Sequence, residues 1–212
     1  MCDPCLAQTE RMVEPVCESC GVSIPPSTAV RCRQCAKDPP AFSRARSIAR
    51  YRSSLDSDPS PLPSLIRRHK YGLDQSLEKA LAEFIGDEIP FCADDVDVVV
   101  PVPLHRKRLW WRGFNQAALL SIVIARRLER PVEMKALVRL IHTIPQTTRD
   151  HDERRRNVRD AFAVARPDRI QNRRILLVDD VMTTGATADE CARVLVEAGA
   201  RLVNVLTLAR VL

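Results

Sequence analysis

Residues Ile175 to Thr187, Ile-Leu-Leu-Val-Asp-Asp-Val-Met-Thr-Thr-Gly-Ala-Thr, constrain the fold of this chain more than any other stretch. Four apolar residues, Ile175 to Val178, follow the basic pair Arg173 and Arg174. A short run, β-branched at both ends, reads as a buried strand of a parallel sheet. Asp179 and Asp180 stand at its carboxyl end, where open α/β sheets place their ligands. Thr183, Thr184, Gly185, Ala186 and Thr187 form a small hydroxyl-rich loop, and a helix is expected from Ala188. The order strand, acidic pair, loop, helix implies an α/β fold, a mostly parallel sheet flanked by helices.

The chemistry follows from the residue types. A loop at a helix N-terminus offers unpaired backbone N–H groups and the positive end of the helix dipole. Gly185 lets the backbone approach an anion, and the threonines add hydroxyl donors. Together they suit a phosphate monoester. The carboxylates repel that phosphate and suit sugar hydroxyls beside it, or a Mg²⁺ already held by ligand oxygens. A phosphate with a diol nearby is a ribose 5-phosphate. A Walker loop is excluded because no Gly-Lys-Ser/Thr follows, and a dinucleotide fingerprint because its glycines are missing. The competing reading is a strand and a capped helix in a domain that binds no nucleotide.

At 212 residues the chain holds one α/β domain and a small appendage. The longest apolar stretch, Ala117 to Ala125, is too short to span a bilayer, so no membrane insertion is expected. No basic-then-apolar signal opens the chain, and a cytoplasmic location is expected. The net charge of +6 suits an anionic ligand or nucleic acid without choosing between them. All but two of the eight cysteines fall in Cys-x-x-Cys pairs: Cys2/Cys5, Cys17/Cys20 and Cys32/Cys35. In a reducing compartment these read as Zn²⁺ ligands. One tetrahedral ion takes four thiolates. Cys17, Cys20, Cys32 and Cys35 are the expected set, with Cys2, Cys5, Cys17 and Cys20 as the rival. Gly21 is expected to free N–H groups to face sulfur.

Between these ends, strands are expected at 45–51, 96–100, 136–142 and 201–208, and helices at 65–71 and 77–85. Pro101-Val-Pro-Leu leads into a run with Arg106, Lys107, Arg108 and Arg112, donors for a polyanion at a strand's carboxyl end. Gly113 is expected to open a helix from Phe114 to Leu128, with Phe114, Ala118, Ile122 and Ala125 on one face. Trp110 and Trp111 lie among these cations. They suit single-stranded DNA, or else one ring packs under the loop and the other contacts a hood. Gly199 is expected to end the last helix in a left-handed cap.

The stretch at 175–187 resembles the signature of type I phosphoribosyltransferases. Pro-Val-Pro-Leu, Arg-Gly-Phe-Asn-Gln, the Ile66 to Gly72 segment and the pattern of Gln146, Arg154, Asn157, Ala161 and Phe162 widen the resemblance to the ComF family, which joins cysteine knuckles to such a domain. The family shows a Leu after the Gln, where this chain has the more polar Thr148 to His151. Longer members carry further cysteine pairs upstream of Cys2. The resemblance implies a zinc-ribbon-like knuckle at 1–40 and a phosphoribosyltransferase-like domain at 41–212, with a hood at 45–90.

It also implies roles. Asp179, Asp180, Thr183, Thr184, Gly185, Ala186 and Thr187 would bind phosphoribosyl pyrophosphate (PRPP) with Mg²⁺. Val102, Pro103, Arg108, Gly113 and Asn115 would form the pyrophosphate loop, Gln146 and Asn157 the lid, and Arg112 and Arg154 would be catalytic. The acceptor is unknown, a nucleobase being expected. Some members serve DNA uptake. The alternative is therefore a non-enzymatic nucleotide-sensing factor that binds single-stranded DNA or competence proteins, and a third reading is an interaction module built on the knuckle.

Overall fold

The structure is a computed structural model and describes residues 9–26, 30–51, 81–86, 89–141 and 151–211, the side chains of 151–154 excepted. Cys2, Cys5, the expected helix at 65–71, residues 77–80 of that at 77–85 and the segment Ile66 to Gly72 lie outside these residues. In chain order the elements are α1 (Arg33–Lys37), β1 (Arg44–Tyr51), β2 (Val98–Pro101), α2 (Arg106–Arg112), α3 (Gln116–Leu128) and β3 (Leu137–Arg139). They continue with α4 (His151–Val158), β4 (Phe162–Val164), β5 (Arg174–Met182), α5 (Ala186–Glu197) and β6 (Leu202–Val211). Among the described residues no helix is long and apolar enough to cross a membrane.

A four-stranded parallel sheet runs in the order β1-β6-β5-β2, and β3 and β4 form a separate antiparallel pair. A parallel sheet needs cover on both faces, and β5 shows how it is provided. Ile175 and Leu177 join the core that contains Cys191, Ala192 and Leu195 of α5. Leu176 and Val178 join the opposite core, with Leu120, Val123, Ile124 and Leu128 of α3. All four strand residues are fully buried, which is why they read as a continuous apolar run. The second core also takes Leu81, Phe84 and Ile85, on a helical turn at 81–85.

Two expectations need correction. β5 does not stop at Val178. It runs to Met182, because β6 goes on pairing with it through Val181↔Ala209 and Met182↔Arg210. The acidic pair therefore lies within the strand. Gly113 does not open a helix: at φ +80° it closes α2, whose start is capped by His105. α3 begins at Gln116, capped by Asn115, and buries Ala117, Leu120, Ile124 and Leu128, whereas Ala118 and Ile122 are only half-buried. Phe114, which anchored the expected face, lies before the helix. Gly199 follows α5 at φ +97°, as expected of a left-handed cap.

The N-terminal segment covers the open edge of β1. The Met12 N–H donates to Ile48 O at 3.1 Å, Arg50 N–H to Glu10 O at 2.9 Å and Ala45 N–H to Ser19 O at 2.7 Å. An edge strand paired in this way cannot recruit another chain. The Val22 N–H that follows Gly21 faces the Cys20 thiol, as expected, and Gly21 has a second task. Its N–H donates to Cys17 O at 2.9 Å. A Cβ there would lie 2.5 Å from Ala45 O, so the knuckle sits this close to the sheet only with glycine at φ +70°.

The β2 and β5 starts are pinned together by one ion pair. The Arg174 N–H and Nε donate to Asp97 Oδ2 at 2.7 and 3.1 Å, and Nη2 donates to Oδ1 at 2.7 Å. These donors pull the Asp97 carboxyl from 3.8 down to about 2. The stabilisation is thus complete above 3.8 and fades as pH falls through about 2. Asp97→Asn should cost about 1 kcal/mol at neutral pH, the pair being partly solvated. In chemical denaturation the gap to the parent protein should close on acidification towards pH 2. A gap undiminished there would show that charge is not its source.

Candidate functional site

The site forms where β5 outruns its neighbour. β2 pairs with β5 as far as Pro101↔Val178. One more bond, from the Val102 N–H to Val178 O at 2.8 Å, precedes the turn away. Asp179 and Asp180 lie just past that fork. Each carboxylate folds back on the next backbone N–H, Asp179 Oδ1 accepting from Asp180 at 2.9 Å and Asp180 Oδ1 from Val181 at 2.8 Å. Burial, then the charge of Asp180, pushes the Asp179 carboxyl well above its usual range, and Arg139 opposes the shift.

The loop then turns sharply into α5. Gly185 is its N-cap residue at φ +83° and supplies no side chain to the N–H groups of the first turn. A Cβ on Gly185 would lie 2.7 Å from Met182 Cε. The Ala186 N–H finds only Thr184 Oγ1, at a long 3.4 Å. Thr183 is exposed, Thr184 and Thr187 are half-buried, and Gly185 and Ala186 are buried. Weakly satisfied donors at the positive end of a helix suit an anion.

The facing wall is basic. Asn115 holds its shape, donating Nδ2–H to Val102 O at 3.0 Å and accepting from the Ala117 N–H at 3.1 Å. Pro103 continues the turn half-exposed, and Gly113 is exposed between α2 and α3. Arg112 Nη1 donates to Gln116 Oε1 at 2.9 Å, while its Nε is buried without a partner among the described residues. Burial, then the charges of Arg112 and Arg139, lowers the Arg108 pKa, with Asp180 acting in the opposite sense. Arg139 on β3 stacks its guanidinium 5.2 Å from the Phe162 ring centroid. Burial lowers its pKa too, offset by Cys191 and Asp179.

A second cluster lies in the knuckle. The sulfurs of Cys17, Cys20, Cys32 and Cys35 all fall within 4.8 Å of one another, so the four are positioned to bind a metal ion. Cys20 Sγ and Cys32 Sγ are 3.7 Å apart. A tetrahedron with metal–sulfur bonds of ~2.3 Å has an edge of ~3.8 Å. Burial pushes the Cys17 thiol up, but N–H donors from Cys20, Cys32 and Ser19 outweigh it and bring it down to about 7. Burial drives Cys20 up to about 11 and Cys35 higher still. Four thiols held this close, with no disulfide between them, fit a divalent cation that stabilises the thiolates.

No family model matches the chain. It is 32% identical over 222 residues to competence protein F of Haemophilus influenzae, covering 99% of this chain and 90% of that protein. It is 32% identical over 217 residues to the DNA utilization protein YhgH of Escherichia coli K12, covering 100% and 91%. The chain belongs to the ComF family. Among solved structures it is similar to adenine phosphoribosyltransferase from Leishmania donovani, at a TM-score of 0.41 and 16% identity over 81% of this chain and 74% of that one.

In this ComF chain the structure brings Asp179, Asp180, Arg108, Arg112 and Arg139 within electrostatic reach of one another. Arg139 escaped the sequence reading. Its signal was a lone cation in the apolar run Leu137-Val-Arg-Leu-Ile141. Asn157 is half-buried on α4, and Gln146 and the Arg154 side chain lie outside the described atoms. Trp110 and Trp111 are 88% and 73% exposed, so neither ring packs under the loop.

Because the four sulfurs fit one tetrahedral ion, the purified ComF chain should carry about one divalent metal per chain. Replacement by Co²⁺ should give the absorption of a four-thiolate site, and Cys35→Ser should abolish it. Loss of metal only on mutation of Cys2 and Cys5 would overturn the assignment.

Proposed function

We propose that this ComF-family protein binds PRPP and transfers its phosphoribosyl group to an acceptor, a nucleobase being the chemical class that fits. The supporting observation is the juxtaposition of a glycine-capped helix start with two carboxylates at the end of the same strand. Thr183 to Thr187 take the 5′-phosphate, and Asp179 and Asp180 accept hydrogen bonds from the ribose hydroxyls. The bond from C1 to the pyrophosphate oxygen breaks as a base nitrogen attacks C1. Positive charge grows on the sugar ring, and negative charge on the leaving group.

The chain's contribution is therefore mostly electrostatic. Arg108, Arg112 and Arg139 would face the departing pyrophosphate, with Arg154 as a further catalytic cation. Val102, Pro103, Gly113 and Asn115 shape the turn beside it, and Gln146 and Asn157 belong to the covering segment. Mg²⁺, when bound with PRPP, would neutralise part of the pyrophosphate charge. Zn²⁺ is the ion that suits Cys17, Cys20, Cys32 and Cys35, in a knuckle at 1–40 ahead of the transferase-like domain at 41–212. The names of the Haemophilus and Escherichia relatives favour a role in competence and DNA utilization.

Loss of one charge-assisted hydrogen bond is worth about 1.5–3 kcal/mol. Asp180→Asn should therefore weaken PRPP binding at least tenfold in calorimetry. Gly185→Val should abolish binding of PRPP and of ribose 5-phosphate but spare that of Mg²⁺-pyrophosphate. A folded Gly185→Val protein that binds ribose 5-phosphate normally would remove the phosphate cradle from this reading.

The exposed tryptophans favour a second reading. Trp110 and Trp111 project from a helix with Arg106, Lys107, Arg108 and Arg112, and no acidic residue occurs between Asp97 and Glu129. Such a surface suits single-stranded DNA, since stacking is worth about 1–3 kcal/mol per base. Replacing both rings by Ala should lower oligothymidylate affinity at least tenfold in fluorescence anisotropy, leaving PRPP binding unchanged. Equal affinity in parent and variant would exclude α2 as that surface.

A further inference from the structure

Arg155 is used by neither reading, yet it makes the longest-range ionic connection of the site. From α4 its Nη1 donates to Asp38 Oδ2, and its Nη2 donates to Asp189 Oδ2 at 3.0 Å. Asp38 caps the end of α1, three residues beyond Cys35. Asp189 lies in the first turn of α5, its N–H bonded to Gly185 O at 2.8 Å. Its other oxygen, Oδ1, accepts from the Ala41 N–H at 2.7 Å. One guanidinium fork thus ties three parts together: the cysteine knuckle, α4 and the helix behind the threonine loop. A small cavity of about 30 Å³ lies at the junction, lined by Cys20, Cys35, Asp38, Arg155, Thr184 and Gly185. It has room for about one water, so the thiol cluster and the loop are nearly in contact.

The position of Asp38 depends on the cluster. α1 has only five residues, far too few to be stable alone. Cys32 is its N-cap, accepting from the Cys35 N–H at 3.5 Å, and Cys35 is buried in it. Two of the four cluster sulfurs therefore hold α1 in place. Without a cation to join them, nothing in so short a helix keeps Asp38 facing Arg155.

We propose that Arg155 is a latch through which the metal-bound knuckle holds α4 against the phosphate loop, so that the state of the cysteine cluster governs ligand binding at Thr184 to Ala186. Asp189 holds one end of the fork, and Asp38 supplies the other. The geometry asks for arginine: two nitrogens serve two carboxylates, which a single ammonium cannot do in the same arrangement. The ligand part rests on the phosphate-binding reading above, whereas the latch itself does not.

The test uses the full-length, metal-loaded chain without ligand. Backbone hydrogen exchange at residues 155–160 should accelerate at least fivefold in both Asp38→Asn and Arg155→Lys, with metal content and the exchange of β5 and β6 unchanged. Chelation should accelerate the same amides in the parent but add little in Asp38→Asn, since the connection is already cut. Unchanged exchange in both variants, or an equal effect of chelation in parent and Asp38→Asn, would overturn the latch. Ribose 5-phosphate calorimetry is then run on the same proteins. A several-fold weaker affinity in Asp38→Asn supports the coupling, and equal affinity overturns it. If the parent binds no ribose 5-phosphate while the exchange results hold, the phosphate-binding reading fails and the latch stands.

Discussion

The structure depends on one requirement, that a parallel sheet be buried on both faces. β5 meets it by sending alternate side chains into two cores, one shared with α5 and the other with α3. Its neighbours end at different places. β2 leaves after Pro101, whereas β6 continues past Met182. The overhang is the only stretch of β5 with polar side chains beyond its start, and there Asp179 and Asp180 replace the apolar run. The candidate site is thus a by-product of unequal strand lengths: a gap beside one strand, bordered by a helix start on one side and a basic turn on the other.

Charge is managed tightly around that gap. Asp179 is partly buried, and burial together with Asp180 resists its ionisation, with Arg139 as the balancing cation. Arg108 and Arg139 in turn lose solvation and repel each other, and the carboxylates of Asp180 and Asp179 relieve them. An anionic ligand with neutral hydroxyls satisfies both sets at once, the cations by its charge and the carboxylates by its donors.

The knuckle is not an independent bead on the chain. Ser19 pairs with β1, Gly21 presses on Ala45, and Arg210 of β6 donates to Cys20 O at 2.7 Å. Three of the four cluster cysteines belong to the same core as α5. A cysteine-rich segment too small to have its own core thereby borrows one from the sheet, and in return closes the exposed edge of β1.

The sequence by itself determined the elements whose signals are local. The apolar run at 175–178, the left-handed glycine after the last helix, Gly199, and the Cys-x-x-Cys spacing each depend on neighbours a few residues away, and each appears where expected. The tertiary structure decided what depends on distant partners. β5 extends to Met182 because β6 pairs with it, against the polarity of Asp179 and Asp180. Residues 106–112 form a helix, which set the true face of α3, although a basic run beside a proline turn read as a loop. Arg139 reached Asp179 because the β3–β4 pair carries it there, and Arg155 reached Asp38 across a separation of 117 residues. Backbone conformation answers to nearest neighbours, whereas the pairing of charges is settled only when the fold brings distant side chains into one low-dielectric space.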